Sequence, residues 1–389
     1  AGHDDQGALF FEPFREQVHG AQVQGGGVVQ VILRSVGEAG EARSGEGRPA
    51  GSPRKGVGMA HKHRNVAIVG VGETKFSSHR EDVNQPEMIH EAVRAALDDA
   101  GIGPDAVDCV VHGNMELFEM VHQPDLWHTL GTGAWGKECL RVTTGGTTGA
   151  TLAAAADHLV ASGLHDVVLA IGFEKLQEGH TTGGITNMAD PLWGRQLQTG
   201  ALTGMTAAQM IEEFGAERAK AAAMAYRILM DENAMQNAKA HRRLGLRRDQ
   251  AAELAANSPA LVGELRMIHM CSQSDGACAL VFASEKRARG FAKPPVWVRD
   301  HITVHREETL NLCTNFYPTA TTHRYAAERL YARNGITDPL AYFDVFEMYD
   351  PSAWWGVDWL RDFFLLEGDA HLRLVEEPAI ARDCPMPGK

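Results

Sequence analysis

Arg141-Val142-Thr143-Thr144-Gly145-Gly146-Thr147-Thr148-Gly149 decides how this chain folds. Leu140-Arg141-Val142 has strand character, and two adjacent glycines allow a turn that residues carrying a Cβ resist. From Thr148 to Ser162 the sequence is apolar nearly all round, the mark of a helix buried on most of its faces. A strand that turns directly into a buried helix is the repeating unit of an α/β sheet. Outward from this stretch, Cys109-Val110-Val111 and Val167 to Ile171 read as continuous apolar strands covered on both faces. Val66 to Gly72 is the first clean strand of the chain. Ile89, Ala92, Val93, Ala96, Leu97 and Ala100 recur at helical spacing, with Gly101 placed as a C-cap.

The same grammar returns further on. A helix from about residue 320 to 333 leads to Asn334-Gly335-Ile336 and an expected strand from Tyr342 to Phe346, matching the earlier run of helix, Ala100-Gly101-Ile102 and strand. Two copies of this run indicate a duplicated α/β unit. Ala277 to Ala283, preceded by Ser274-Asp275-Gly276, is expected to open the second copy. Residues 176–265, helical and rich in Met, Ala and Gln, read as a cap inserted between the copies. Residues 1–58 carry Gly25-Gly26-Gly27 and a Gly/Glu/Arg/Ser/Pro tract, so they are expected to be a disordered or non-native extension, with Met59 as the start of the ordered body. The expected organisation is 1–58 extension, 59–175 first half, 176–265 cap and 266–389 second half.

With 389 residues, of which 44% are hydrophobic, the chain can bury a large core without metal or disulfide staples. Its formal charge of -13 argues against a nucleic-acid partner, which needs a basic face. No apolar run reaches the roughly 18 residues that span a bilayer. Six scattered cysteines with no CxxC pair suit reduced thiols in the cytoplasm. Gly70-Val71-Gly72 follows a strand, but Lys75 stands at the third glycine and no helix opens at once, so the dinucleotide-binding fingerprint fails. His61 and His63 are a lone pair, too few for a zinc site, and no metal is expected. His112 ends a parallel strand, where sheets of this class bind ligands, yet a surface position is the expectation for it.

Four segments taken in order resemble the thiolase superfamily: the 141–149 stretch, Gly172-Phe173-Glu174-Lys175, Ser274-Asp275-Gly276-Ala277 and Phe346-Glu347-Met348-Tyr349-Asp350. The resemblance covers residues 64 to about 383 and is strongest to sterol-carrier-protein-type thiolases and their lipid-transfer, aldolase-like cousins. It implies an α/β thiolase fold of duplicated halves with mixed five-stranded sheets and a helical cap. It also implies a coenzyme A thioester as substrate with no other cofactor. The family pattern continues past the residues ending at Lys389 with further strands and a loop, so the resemblance implies an incomplete second half.

Two departures shape the expected chemistry. The family places a nucleophilic Cys at the helix N-terminus, where the helix dipole favours the thiolate, and this chain has Gly146. Gly146 is either a plain tight turn or a place where backbone N–H groups meet an oxyanion, with Gly145, Thr147 and Thr148 around the thioester. Where the family has His before Asp, this chain has Tyr349, either a proton-transferring phenol or a packed aromatic. Asp350 either orients that phenol or caps the next helix. The expected function is an acyl-CoA enzyme making or breaking a C–C bond next to the thioester, acyltransferase-like or retro-aldolase-like. The rival is a non-catalytic acyl-CoA-binding or scaffolding subunit. A homodimer and a small OB-fold, zinc-ribbon partner follow from the same resemblance.

Overall fold

The structure, a computed structural model, describes residues 28–35, 64–115, 124–178, 199–304 and 322–377. The strands are β1 (Val28–Ser35), β2 (Val66–Glu73), β3 (Cys109–Gly113), β4 (Glu138–Arg141), β5 (Val167–Lys175), β6 (Ala260–Val262), β7 (Leu265–Arg266), β8 (Asp275–Ser284) and β9 (Val296–Val304). The helices are α1 (Gln85–Ala100), α2 (Pro124–Thr132), α3 (Thr148–Ser162), α4 (Thr199–Phe214), α5 (Ala216–Gln236), α6 (Ala251–Asn257), α7 (Glu285–Ala288), α8 (Thr322–Asn334), α9 (Pro339–Tyr342), α10 (Ala353–Phe363) and α11 (Ala370–Glu376).

One mixed sheet runs in the order β1-β9-β2-β8-β5-β3-β4. Its parallel part is β5-β3-β4, with Val110 opposite both Cys139 and Leu169. Strand β8 lies antiparallel to both β2 and β5. The reason β3 and β5 are apolar without a break is visible in the layers. Val110, Leu169 and Ile171 pack with Met88, Ile89 and Ala92 of α1 on one face. Val111, Val168 and Ala170 pack with Leu152, Ala156 and Val160 of α3 on the other. Each fully buried Met, Ile or Leu contributes roughly 1.5–3 kcal/mol from removed apolar surface. Helix α1 starts with a capping box, Asn84 accepting from the Glu87 backbone while Glu87 returns to Asn84, and stops at Gly101 in the left-handed region, φ 69°.

Helices α4, α5, α10 and α11 form a separate apolar cluster around Trp354, Val357 and Tyr226, beside the sheet. No described helix is long and apolar enough to cross a membrane.

Four expectations need correction. Strand β8 sits in the middle of the sheet shared with β2, β3 and β5, so it completes the first α/β half instead of opening the second. Strand β5 ends at Lys175 and β8 begins at Asp275, and pairing over that distance leaves no local signal. Residues Tyr342 to Phe346 are not a strand. Pro339 and the Asp338 side chain, which accepts from Ala341, start the short helix α9 there. Phe343 and Phe346 instead pack into the helical clusters. Within 1–58, Val28–Ser35 is a strand paired antiparallel with β9, where an unstructured tract was expected. Its run of β-branched and aliphatic residues matches the open edge that β9 offers. The rest of 1–58, together with Met59, His61 and His63, lies outside the described residues. Finally, His112 is buried, 1% exposed, packed near His128 and Phe173.

Candidate active site

The 141–149 stretch folds as its sequence suggests. After β4, the Val142 amide donates to the His112 carbonyl at 2.9 Å, so the chain leaves the sheet beside the end of β3. Gly113 has to be glycine there, because a Cβ would lie 1.8 Å from the Val142 carbonyl oxygen. Gly145 adopts a left-handed conformation, φ 64°, open to glycine at little cost. The threonines then knit the turn together. The Thr148 hydroxyl donates to the Gly145 carbonyl at 2.7 Å and accepts from the Thr144 amide at 2.9 Å. The Thr147 hydroxyl donates to the Thr144 carbonyl at 2.9 Å. Thr147 and Thr148 therefore use their side chains inside the turn, and Thr147, at the N-cap of α3, makes no side-chain cap bond. What this corner presents is the positive end of a 15-residue helix with a side-chain-free residue, Gly146, at its approach.

Tyr349 and Asp350 lie on the segment between α9 and α10. The Cys271 amide donates to the Pro351 carbonyl at 2.9 Å, and Met270 bridges Ser352, so residues 270–272 run alongside. Ser352, not Asp350, caps α10, accepting from Trp355 at 3.3 Å. Asp350 Oδ2 instead accepts from the hydroxyl of Tyr226, on α5, at 2.8 Å. Tyr226 was not legible as a site residue: it is one aromatic in a helix rich in Ala and Met, and the contact spans more than a hundred residues of chain.

Asp350 faces a cavity of about 240 Å³ also lined by Tyr226, Arg227, His241, Arg242 and Cys271. That is below the ~300–1,000 Å³ of a pocket for a drug-sized molecule. Burial raises the Asp350 carboxyl to about 6, against the lowering pull of the Tyr226 hydrogen bond and the Arg227 charge. Burial likewise lowers Arg227 to about 10, and Arg242 is lowered as well. The Arg227 side chain is held by the Ile268 carbonyl at 3.1 Å and Arg242 by the Met270 carbonyl at 2.8 Å. Tyr349 is 37% exposed as a residue, yet crowding around its hydroxyl, with Cys271 and Asp350 nearby, raises the phenol above its ordinary value. At neutral pH Tyr349 is thus a hydrogen-bond donor, and Asp350 is a carboxylate poised to take a proton.

His269, at the back of the same cavity, accepts at Nδ1 from both the Arg266 amide and the Trp354 indole, each at 3.1 Å. Its burial lowers it to about 4, so it is neutral with the proton on Nε2. Asp275 of the Ser274-Asp275-Gly276 segment is buried and accepts backbone amides from Arg80 at 2.9 Å and Gln177 at 3.4 Å, which makes it a fastener of loops at the start of β8.

A two-sided α/β sheet with a glycine-threonine turn opening a buried helix, and a Tyr-Asp pair on a later segment, defines the class to which comparison with known proteins then gives a name. The thiolase N-terminal domain description matches residues 66–286, more than half of the chain. The chain belongs to the thiolase superfamily. An acetyl-CoA acetyltransferase of Methanothermobacter thermautotrophicus is 29% identical over 241 residues, 61% of each chain. Sterol carrier protein 2 of Gallus gallus is 34% identical over 139 residues, 36% of this chain and 25% of that one. An acetyl-CoA acetyltransferase of Methanocaldococcus jannaschii is 27% identical over 336 residues, 82% of this chain and 81% of that one. The matched stretches thus span less than two thirds of the first two relatives. Among solved structures, an Ltp2-ChsH2(DUF35) aldolase has a TM-score of 0.64 at 23% identity, covering 82% of this chain and 83% of that chain, which establishes the likeness of fold.

Proposed function

We propose that this thiolase-like chain is an enzyme that cleaves or forms the C–C bond next to a CoA thioester without a covalent acyl intermediate, in the retro-aldol or Claisen manner. The observation that carries the reading is Asp350, a carboxyl raised to about 6, facing a small cavity, with a phenol next to it in sequence. In the retro-aldol direction, Tyr349 donates to the β-oxygen of a β-hydroxyacyl thioester and Asp350 takes the hydroxyl proton. The Cα–Cβ bond then breaks, leaving a carbonyl at Cβ and a thioester enolate. The N-terminus of α3 at Gly146 stabilises the enolate oxygen, and the proton on Asp350 returns to Cα. Gly146 supplies space where an ordinary thiolase would present sulfur. That two relatives are named acetyl-CoA acetyltransferases and the solved neighbour an aldolase supports C–C chemistry beside a CoA thioester as the common theme. The reading also includes a homodimer and a second subunit, of the small OB-fold, zinc-ribbon kind that the resemblance implied.

The test is a panel of β-hydroxyacyl- and β-ketoacyl-CoAs incubated with the chain, alone and with a candidate partner, and followed by mass spectrometry. Release of a carbonyl fragment and a shortened acyl-CoA, insensitive to iodoacetamide, is expected. Acyl-CoA binding with no turnover of any substrate would instead identify a non-catalytic subunit, and full thiol sensitivity would return a cysteine such as Cys271 to the nucleophile's role.

A further inference from the structure

Away from that site, two elements bring three metal-binding side chains together. Asp157 and His158 stand on the second half of α3, and His301 stands on β9. His301 Nε2 lies 3.1 Å from Asp157 Oδ2, and the two imidazole rings are 4.8 Å apart at 67°. One donor atom from each of the three residues lies within 4.8 Å of the other two. The carboxylate is largely enclosed, its side chain 15% exposed, and that of His301 is 10% exposed. Among the described residues no Lys or Arg pairs with Asp157, and its one hydrogen bond is to an imidazole. A carboxylate so enclosed gains from a positive charge placed beside it.

We propose that Asp157, His158 and His301 bind one divalent transition-metal ion of the zinc class, clamping α3 to β9. Two imidazole nitrogens and one carboxylate oxygen favour zinc, cobalt, nickel or copper over magnesium and calcium, which take oxygen ligands. Bond lengths of about 2.0–2.2 Å require the donor atoms to draw closer than their present widest spacing. The exposed His158 is the side chain that moves to close it. The ion is structural and not catalytic. Asp157 is nine residues beyond Thr148, about 14 Å along the helix axis at 1.5 Å per residue, so the ion is remote from the turn at Gly146. Its effect is to fasten the helix that carries the turn to the outer part of the sheet, where β9 pairs with β1.

The experiment uses the full chain, free of any histidine tag and stripped with a chelator, titrated with Co²⁺ and then Zn²⁺. One Co²⁺ per chain, visible absorption bands of a low-coordinate site, their loss on adding Zn²⁺ and a raised Tm with Zn²⁺ are expected. His301→Ala and Asp157→Asn should each weaken binding at least tenfold, while His79→Ala, on the surface elsewhere, leaves it unchanged. Should His301→Ala fail to fold, His158→Ala removes an exposed ligand and must weaken binding by a similar factor. Absence of stoichiometric binding, or binding by the His158→Ala and Asp157→Asn proteins as tight as that of the parent, overturns the proposal and leaves Asp157 and His301 as a simple hydrogen-bonded pair.

Discussion

Asp350 shows how one residue's surroundings set its chemistry. An aspartate in water releases its proton near 3.8, and this one is raised to about 6 by burial. A carboxyl raised in the folded state binds its proton more tightly there than in the unfolded chain. Its contribution to stability is therefore full below about pH 4 and is lost as pH rises through about 6. The change is at most about 3 kcal/mol, at about 1.4 kcal/mol per pH unit. Asp350→Asn, which cannot ionise, should thus gain stability relative to the parent as pH rises from 4 to 7, as read from urea midpoints at each pH. A constant difference would show that the carboxyl titrates normally. The neighbouring phenol gives a kinetic counterpart. Tyr349→Phe keeps the ring and deletes the donor, and should lower kcat by about 10²-fold with little change in acyl-CoA binding. An unchanged kcat would reduce Tyr349 to a packed aromatic.

At the scale of elements, α1 lies unusually close to β2. A Cβ on Gly72 would come within 2.2 Å of the Ala92 carbonyl oxygen and 2.3 Å of the Ala96 amide, all of it backbone that cannot swing aside. Gly72→Ala should push α1 off the sheet and cost roughly 2–4 kcal/mol, within the range of overpacked cores. Gly149, in the first turn of α3, meets nothing within 4 Å, so Gly149→Ala should be neutral or add about 0.5–1 kcal/mol through helix propensity. Chemical denaturation of the two variants decides the pair, and similar effects would mean that α1 and β2 are not so tightly apposed. Glycine in the Gly70-Val71-Gly72 run is therefore explained by packing of a helix on a strand, and the failed dinucleotide fingerprint agrees with that.

At the scale of the molecule, one edge of the sheet is open. All four residues of β4 are exposed, and near them Leu126, Trp127, Leu130 and Trp135 are 56–81% exposed. Unpaired strand edges flanked by large apolar side chains are surfaces that proteins cover. A second copy of the chain is the occupant we propose, so sedimentation at micromolar concentration should give a dimer and Trp135→Asp should shift it toward monomer. A parent protein that is monomeric there would refute the pairing. The interior yields another expectation for the whole fold. His112, His128, His269 and His323 are lowered to about 4 and His371 to about 3, each chiefly by burial. Unfolded, each takes up a proton near 6.5, so the stability they lend is present above that pH and is lost as pH falls toward 4. Urea midpoints should drop over pH 6.5 to 4, against the weaker opposite trend from Asp350, and a flat profile would contradict the burial of these rings.

Periodicity by itself determined the α/β class, the boundaries of α3, the strands β3 and β5 and the capped α1. In each, the local spacing of apolar residues already encodes which faces meet a neighbour. The ordered motifs likewise brought Gly146 and the Tyr349-Asp350 pair to notice. Only the tertiary structure decided that β8 belongs between β2 and β5, that residues 342–346 form a helix end and irregular chain and not a strand, that His112 is enclosed, and that Tyr226 holds Asp350. Each of these depends on a pairing between residues far apart along the chain, whose free energy comes from burial and hydrogen bonding that no local window of sequence contains.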